Sequence, residues 1–276
     1  MDRCNNVRSF MQIHAQLLTS GVVRDQLVVN RVAEFFGKFA DFGEYGCYLL
    51  KQIDWSISSF PSNLMILAYV GSDTPRAAVL VYRRMMRNGF MPDMYTFPVV
   101  LKSCAKFLGI GEGRQVHGVV VKMGFLSDLV VQNSLVHFYG GFGDFRVASM
   151  VFDDMHVRDV VSWSCLISGY VRAGLFDEAV ALFLRMDVKP NIATFVSMLV
   201  ACGQMKHLSL GKEIHGLIVR CVRVDLVVGN AIMDMYVKCK CLCEAKQIFD
   251  ELPMISGLVQ FKRPKESLQM YACIRH

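Results

Sequence analysis

Histidines and cysteines are the residues of this chain that could support metal-dependent chemistry. A zinc-dependent deaminase needs a His followed two residues later by Glu, together with a Pro-Cys-x-x-Cys segment that completes the metal site. None of the seven histidines has Glu two residues later, and no two of the ten cysteines have the Cys-x-x-Cys spacing. The sequence therefore excludes this catalysis within the chain, and we predict no enzymatic activity.

Other sites for metals or cofactors are equally poorly supported. Cys239, Cys241 and Cys243 form a Cys-x-Cys-x-Cys segment, whereas zinc sites usually use wider gaps and a second pair of ligands. The segment from Gly109 to Arg114 is rich in glycine but lacks the spacing and the lysine of a phosphate-binding loop. We predict neither a bound metal nor a cofactor.

Internal repetition is the main organising feature of the sequence. The segments LVVQNSLVHFY from Leu129 and LVVGNAIMDMY from Leu226 share Asn at the fifth place and Tyr at the eleventh. A second matching pair is TFPVVLKSC from Thr96 and TFVSMLVAC from Thr194. Self-similarity at a period of about 20 to 50 residues is the signature of a solenoid.

Each unit has the pattern of two antiparallel helices. Trp163, Leu166, Ile167 and Tyr170 recur at the spacing of one apolar helix face, and Gly174 follows as a candidate helix end. Stacked neighbours must bury these faces jointly. We predict an all-α, right-handed α-solenoid of about six to seven helix-turn-helix repeats, with incomplete terminal repeats. The predicted units are 1–58 (incomplete long and short repeats), 59–93, 94–128, 129–159, 160–191, 192–225, 226–253 and 254–276 (a truncated repeat).

The segments VVSWSCLISGYVRAG from Val160, RQVHGVVVKMG from Arg114 and GNAIMDMYVKC from Gly229 resemble pentatricopeptide repeat proteins. They are most similar to the plant subgroup in which standard, long and short repeats alternate, called the PLS subgroup. The resemblance covers nearly the whole chain, and it implies single-stranded RNA binding at about one base per repeat. The tetratricopeptide repeat is the nearest competing solenoid, but its full Trp-x2-Leu-Gly-x2-Tyr pattern is not present after Trp163.

The resemblance also implies which residues contact RNA. In this family the fifth and last residues of a unit together choose the base, and the second residue packs against it. In this sequence the implied pairs are Asn63 with Asp93, Asn133 with Asp159, and Ser164 with Asn191. The implied packing residues are Phe60, Val130 and Val161. By the same resemblance, Asn with Asp favours uracil and Ser with Asn favours adenine.

The long repeats depart from this pattern. Their pairs are Pro98 with Asp128 and Val196 with Asp225, and neither Pro nor Val can hydrogen-bond a base through its side chain. The predicted core target is therefore U, any base, U, A from 5′ to 3′. Two further fifth-place residues, without assigned closing partners, are Asn30 and Asn230. The alternative interpretation is that Asn and Asp at these places only cap helices.

The charge balance is compatible with an RNA partner. A net charge of +6 is mildly basic and suits contact with phosphates. The densest basic cluster, formed by Arg83, Arg84 and Arg87, is interpreted as a solvated helix face rather than a phosphate clamp. No apolar run reaches the length of about 18 residues that a membrane span needs, so we expect no membrane association. An RNA-binding role without catalysis also predicts no small-molecule substrate.

The two ends lead to a prediction of truncation. The segment from Met1 to Gly21 matches only the second half of a long repeat. The segment from Met254 to Tyr271 aligns with the one from Leu166, but nothing corresponds to HVRDVVSWSC before it. We predict a truncated chain without a deaminase domain, with exposed apolar ends that cause poor solubility or a disordered terminus.

Three functions remain open from the sequence. The first is a non-catalytic adaptor for RNA editing or processing, which binds single-stranded organellar RNA and works with a deaminase or processing factor in trans. The second is a protein-interaction solenoid, and the third is a nonfunctional fragment. The resemblance implies a mitochondrion or chloroplast, although no targeting peptide is recognised in this N-terminus.

Overall fold

The structure is a computed structural model that describes Gln16, residues 59–222 and residues 224–251. Between residues 59 and 251, the regular elements of the described chain are 12 α-helices and one short 3-10 helix, Phe125–Ser127. The predicted all-α class is therefore confirmed. The helices are α1 (Ser59–Gly71), α2 (Arg76–Arg87), α3 (Thr96–Lys106), α4 (Ile110–Lys122), α5 (Leu129–Gly141), α6 (Phe145–Asp153), α7 (Val160–Arg172), α8 (Phe176–Arg185), α9 (Ile192–Met205), α10 (Leu208–Cys221), α11 (Leu226–Lys238) and α12 (Leu242–Glu251).

The chain divides into a first unit of residues 1–156 and a second unit of residues 157–276. In the first unit, α1 packs against α3 and α3 packs against α5, while α2, α4 and α6 each pack against the helix that precedes them. In the second unit, α7, α9 and α11 pack in the same succession, and α8, α10 and α12 pack against their preceding helices. The described part of each unit is thus a stack of three helical hairpins, with the first helices of the hairpins forming one layer.

The cores of the two units have matching registers. Phe97, Val100, Leu101 and Cys104 on α3 are at most 1% exposed, at the i, i+3, i+4, i+7 spacing of one helix face. Phe195, Met198, Leu199 and Cys202 on α9 are buried to the same extent. Burial raises the pKa of Cys104 to about 12 and that of Cys202 to about 11, because a thiolate is poorly solvated there.

The turns inside the hairpins are of two kinds. Gly143 and Gly174 have φ of 75° and 77°, the left-handed conformation that glycine adopts with little strain. Three other turns have a non-glycine residue in this conformation: Leu108 and Lys206 in the long repeats, with φ of 59° and 55°, and Lys240 in the short repeat 226–253, with φ of 62°. A side chain in this region costs roughly 1 to 2 kcal/mol, so these three positions are strained, which the sequence pattern does not indicate.

Several predictions concern residues outside the described part of the chain. They are the site residue Asn30, the repeats assigned to 1–58 and 254–276, and the expected poor solubility or disorder of the ends. Of the helices that the structure describes, none combines the length and the apolar character needed to cross a bilayer.

Candidate functional site

The fifth and last residues of the first standard repeat are in direct contact. Asn63 lies on α1, and its Nδ2 donates to Oδ1 and Oδ2 of Asp93, each at 3.1 Å. Asp93 lies three residues before Thr96, the first residue of α3, and its Oδ1 accepts from the backbone N–H of Tyr95 at 3.0 Å and of Thr96 at 2.9 Å. One carboxylate therefore holds the fifth-place amide and caps the next helix.

Hydrogen bonding keeps this carboxylate ionised. Partial burial by itself raises the pKa of Asp93, because it disfavours the charged form. The hydrogen bonds from Thr96, from Asn63 and from the backbone N–H of Tyr95 act in the opposite direction, and the pKa is lowered overall. Asp93 is consequently an anion at neutral pH, with acceptor oxygens only.

The second standard repeat has the same arrangement in the second unit. Oγ of Ser164, on α7, lies 3.3 Å from Oδ1 of Asn191, the last residue of its repeat. The Ser164 hydroxyl also bonds to the backbone carbonyl of Val160, one turn earlier. Oδ1 of Asn191 accepts from the backbone N–H of Thr194 at 2.9 Å, so Asn191 caps α9.

The two residues of the third predicted pair, Asn133 and Asp159, belong to different units. Asn133 is buried on α5 in the first unit. Asp159 belongs to the second unit, where it caps α7 through the backbone N–H of Ser162 at 2.9 Å. The pairing of Asn133 with Asp159 stays a prediction, as does the role of Asn230, which is exposed on α11.

The closing residues of the long repeats act as helix caps. Oδ1 of Asp128 accepts from the backbone N–H of Val131 at 2.9 Å. Oδ1 of Asp225 accepts from that of Val228 at 2.9 Å. The fifth-place partners predicted for them are half-buried and offer no polar side-chain atom; they are Pro98 and Val196. Side-chain capping, which the alternative interpretation expects, is thus present at Asp128, Asp159, Asn191 and Asp225. Asp93 accepts from the backbone N–H of Thr96, the first residue of α3. Capping does not decide whether these residues also contact RNA, which stays a prediction.

Second-place residues are exposed beside these sites. Val130 is 59% exposed and Val161 is 45% exposed, as a base-packing role requires. Phe60 lies on α1, but its side chain is outside the described set. The sequence reasoning missed Tyr95 and Val227, which occupy the second place of their own units and are 67% and 62% exposed. The repeat register already contained the signal for both.

Histidines that recur in the repeats pack against tyrosines. Nδ1 of His117 lies 2.9 Å from the hydroxyl of Tyr139, and Nδ1 of His215 lies 3.0 Å from that of Tyr236. Burial lowers the pKa of His117, because the charged ring is poorly solvated there. Among the described residues, which include Cys239, Cys241 and Cys243, no group of three or more His, Cys, Asp or Glu side chains could hold a metal ion.

The arginine cluster lies away from these helix starts. Arg83, Arg84 and Arg87 are exposed on α2, the second helix of its hairpin, and Nη2 of Arg83 donates to Oε1 of Gln115 at 3.2 Å. Arg83 and Arg87 border a shallow groove between α2 and α4 that is lined mainly by apolar side chains.

Comparison with known proteins identifies the repeats. Residues 158–204 match the model of the PPR repeat family. The chain is 48% identical over 285 residues to "Pentatricopeptide repeat-containing protein At4g38010" of Arabidopsis thaliana, an alignment that covers 100% of this chain and 51% of that protein. The chain is a pentatricopeptide repeat (PPR) protein of the plant type.

A second relative and a solved structure extend this result. "Pentatricopeptide repeat-containing protein At1g59720, chloroplastic/mitochondrial" of Arabidopsis thaliana is 34% identical over 291 residues, covering 98% of this chain and 45% of that protein. The crystal structure of PPR10 in complex with an 18-nt psaJ RNA element superposes with a TM-score of 0.67 at 18% identity, covering 87% of this chain and 36% of PPR10. This likeness confirms the predicted α-solenoid fold. The PPR chain spans about half the length of the two Arabidopsis relatives.

Proposed function

We propose that this PPR protein is a sequence-specific single-stranded RNA-binding protein of organellar RNA metabolism. Its role would be that of a non-catalytic adaptor in editing or processing. The observation that carries the proposal is the contact between the fifth and last residues of a standard repeat, made once in each unit: Asn63 with Asp93 and Ser164 with Asn191. Each pair joins a side chain on the first helix of a repeat to the last residue of that repeat, which lies just ahead of the next hairpin.

The polar atoms of these pairs suit the edges of unpaired bases. Uracil presents one N–H donor between two carbonyl acceptors, and the amide of Asn63 carries both a donor and an acceptor. Adenine presents an amino donor beside a ring-nitrogen acceptor, which the hydroxyl of Ser164 and the amide of Asn191 can complement. Bases of single-stranded RNA expose these edges, whereas paired bases do not.

The exposed second-place residues supply the other half of a base site. Tyr95, Val130, Val161 and Val227 each present a large apolar side chain to solvent at or next to the start of a helix. Stacking of a base on an aromatic ring such as that of Tyr95 contributes roughly 1 to 3 kcal/mol and tolerates any base, and the valines offer apolar contact to the face of a base. We propose that the second residue provides affinity and that the fifth and last residues provide selectivity.

The proposed target follows from the order of the repeats. Asn63 with Asp93 and Asn133 with Asp159 select uracil, and Ser164 with Asn191 selects adenine. The long repeat that separates the two uracil positions reads weakly, since Pro98 offers no hydrogen bond. The proposed target is thus U, any base, U, A from 5′ to 3′, within the PLS arrangement of repeats.

The cellular setting is part of the same proposal. One relative is named as chloroplastic/mitochondrial, which supports localisation of this chain to an organelle. An adaptor that binds RNA without chemistry of its own needs a deaminase or processing factor in trans. A net charge of +6 is compatible with contact to the phosphates of RNA.

Binding of the full chain to labelled RNA tests the proposal. Fluorescence anisotropy would compare a single-stranded RNA that contains U-N-U-A with versions in which each base is replaced in turn. We expect both uracils and the adenine to matter and the second base to be neutral, with affinity falling as salt rises. Equal affinity for all versions, or for a duplex of the same sequence, would refute sequence-specific single-strand binding.

A further inference from the structure

The residue types at the third place of each unit vary with the fifth place of the unit before. Where the fifth residue is polar, the next unit has a hydroxyl residue at its third place. These combinations are Asn63 with Thr96, Asn133 with Ser162, and Ser164 with Thr194. Where the fifth residue is Pro98 or Val196, the third place is Val131 or Val228.

The third-place residues of the five units from 94 to 253 are fully buried. Thr96, Val131, Ser162, Thr194 and Val228 are each 0% exposed. A hydroxyl in such a place costs free energy unless it is hydrogen-bonded. Its presence beside polar fifth residues, and its replacement by Val elsewhere, therefore point to a bonding role.

In the first unit, the hydroxyl of Thr96 joins the two residues of the pair. Its Oγ1 donates to Oδ1 of Asn63 at 2.6 Å and also lies 2.8 Å from Oδ1 of Asp93. It accepts from the backbone N–H of Asp93 at 3.1 Å. Because Nδ2 of Asn63 already donates to Asp93, the amide of Asn63 is held at both ends and its orientation is defined.

In the second unit, Thr194 makes the equivalent contacts. Its Oγ1 lies 2.9 Å from Oδ1 of Asn191 and 3.0 Å from Oγ of Ser164. Since Oδ1 of Asn191 also accepts from the backbone N–H of Thr194, the carbonyl end of this amide faces the helix start. Because the amide is planar, Nδ2 of Asn191 lies on the side away from these contacts.

The hydroxyl is not required for capping. Asp128 and Asp225 cap α5 and α11 with the same 2.9 Å geometry, although the third-place residues there are Val131 and Val228. A purely structural role in the cap therefore does not explain why Thr occurs only beside polar fifth residues. Orientation of the fifth and last side chains does explain it.

We infer that Thr96 and Thr194 are positioning residues that set base selectivity in the standard repeats. Each hydroxyl fixes which polar atoms of the fifth and last residues face a bound base, without contacting the base itself. The inference rests on the proposed RNA-binding function and adds a residue from the following long repeat to each base site.

The test uses Thr96→Val and Thr194→Val in the full chain, with RNA binding measured for all four bases at each standard-repeat position. Val has nearly the shape of Thr and already occurs at the equivalent places 131 and 228, so we expect both variants to fold. For Thr96→Val, the preference for uracil at the RNA position read by Asn63 and Asp93 should fall about 2- to 10-fold. This factor corresponds to the free energy of one hydrogen bond. The preference for adenine at the Ser164 position should stay unchanged, and Thr194→Val should show the converse.

Two further variants separate positioning from stability. Thr96→Ser keeps the hydroxyl and should retain the wild-type preference for uracil. Val131→Thr adds a buried hydroxyl beside Pro98 and should leave both preferences unchanged. If Thr96→Val lowers only the melting temperature and leaves the base preference intact, the positioning role is refuted. If wild-type protein shows no base preference at all, the proposed function itself fails, and the two outcomes are distinct.

Discussion

Replacement of Asp93 by Ala tests the contact that carries the proposed function. The Asp93 side chain caps α3 through two backbone N–H groups and accepts from Nδ2 of Asn63. Loss of the cap costs about 1 kcal/mol of the free energy of unfolding. Removal of the acceptor from the half-buried amide costs about 1 kcal/mol more. We expect a total of about 2 kcal/mol.

Asp128→Ala is the matched control, because it lies in the same unit. Asp128 caps α5 through Val131, but its fifth-place counterpart is Pro98, so only the cap is lost. We expect about 1 kcal/mol for this variant. At about 3 °C per kcal/mol for a chain of this size, the melting temperatures should fall by about 6 °C and about 3 °C. Helix content at 222 nm during thermal and urea unfolding measures both.

The pH dependence gives a second check on the same residue. The pKa of Asp93 is lowered in the folded protein below its ordinary value of 3.8. Its contribution to stability is therefore complete above that ordinary value and is lost as the pH falls through the folded-state pKa. The difference between wild type and Asp93→Ala should be constant near neutral pH and should shrink in acid. If Asp93→Ala costs no more than Asp128→Ala, the Asn63–Asp93 pair does not stabilise the fold and the reasoning is wrong.

Three other predictions follow from single features. Leu108→Gly should raise the free energy of unfolding by about 0.5 to 1 kcal/mol in urea titrations. Leu108 is exposed and has a φ of 59°, a conformation that strains Leu but not Gly. A loss of stability would show that Leu108 is not strained. Tyr95→Ala should weaken RNA binding by about 1 to 3 kcal/mol. Leu80 on α2 is comparably exposed, and Leu80→Ala should leave RNA binding unchanged. Equal effects of the two variants would show that Tyr95 does not stack on a base. Iodoacetamide should label the exposed Cys243 rapidly and Cys104 only after unfolding, because burial raises the pKa of Cys104 to about 12. Mass spectrometry measures the two labelling rates, and equal rates would show that α3 is not packed as described.

The observed capping role of the closing residues is compatible with the recognition role that we propose for them. Asp93 and Asn191 each use one oxygen to start a helix and to contact a fifth-place side chain. Their side chains are therefore fixed before any ligand arrives, which reduces the entropy lost on binding. A helix start is a suitable place for this, because its unpaired N–H groups need an acceptor in any case.

Local sequence determined the helices and their faces. The apolar spacing on α7 and the glycine at residue 174 predicted a helix and its end, and both are present in the structure. These predictions succeed because they depend on residues within one or two turns of each other. The repeat register likewise contained the exposed second-place residues Tyr95 and Val227, even though only two of the equivalent valines were recognised from it.

Tertiary structure decided the features that join distant parts of the chain. The bond from Thr96 to Asn63 joins residues separated by 33 positions, and no local pattern encodes a contact at that range. It forms because neighbouring hairpins stack in register, which places the first turn of α3 beside the fifth residue of α1. The sequence thus determined which side chains were available, and the stacking of hairpins determined which of them meet.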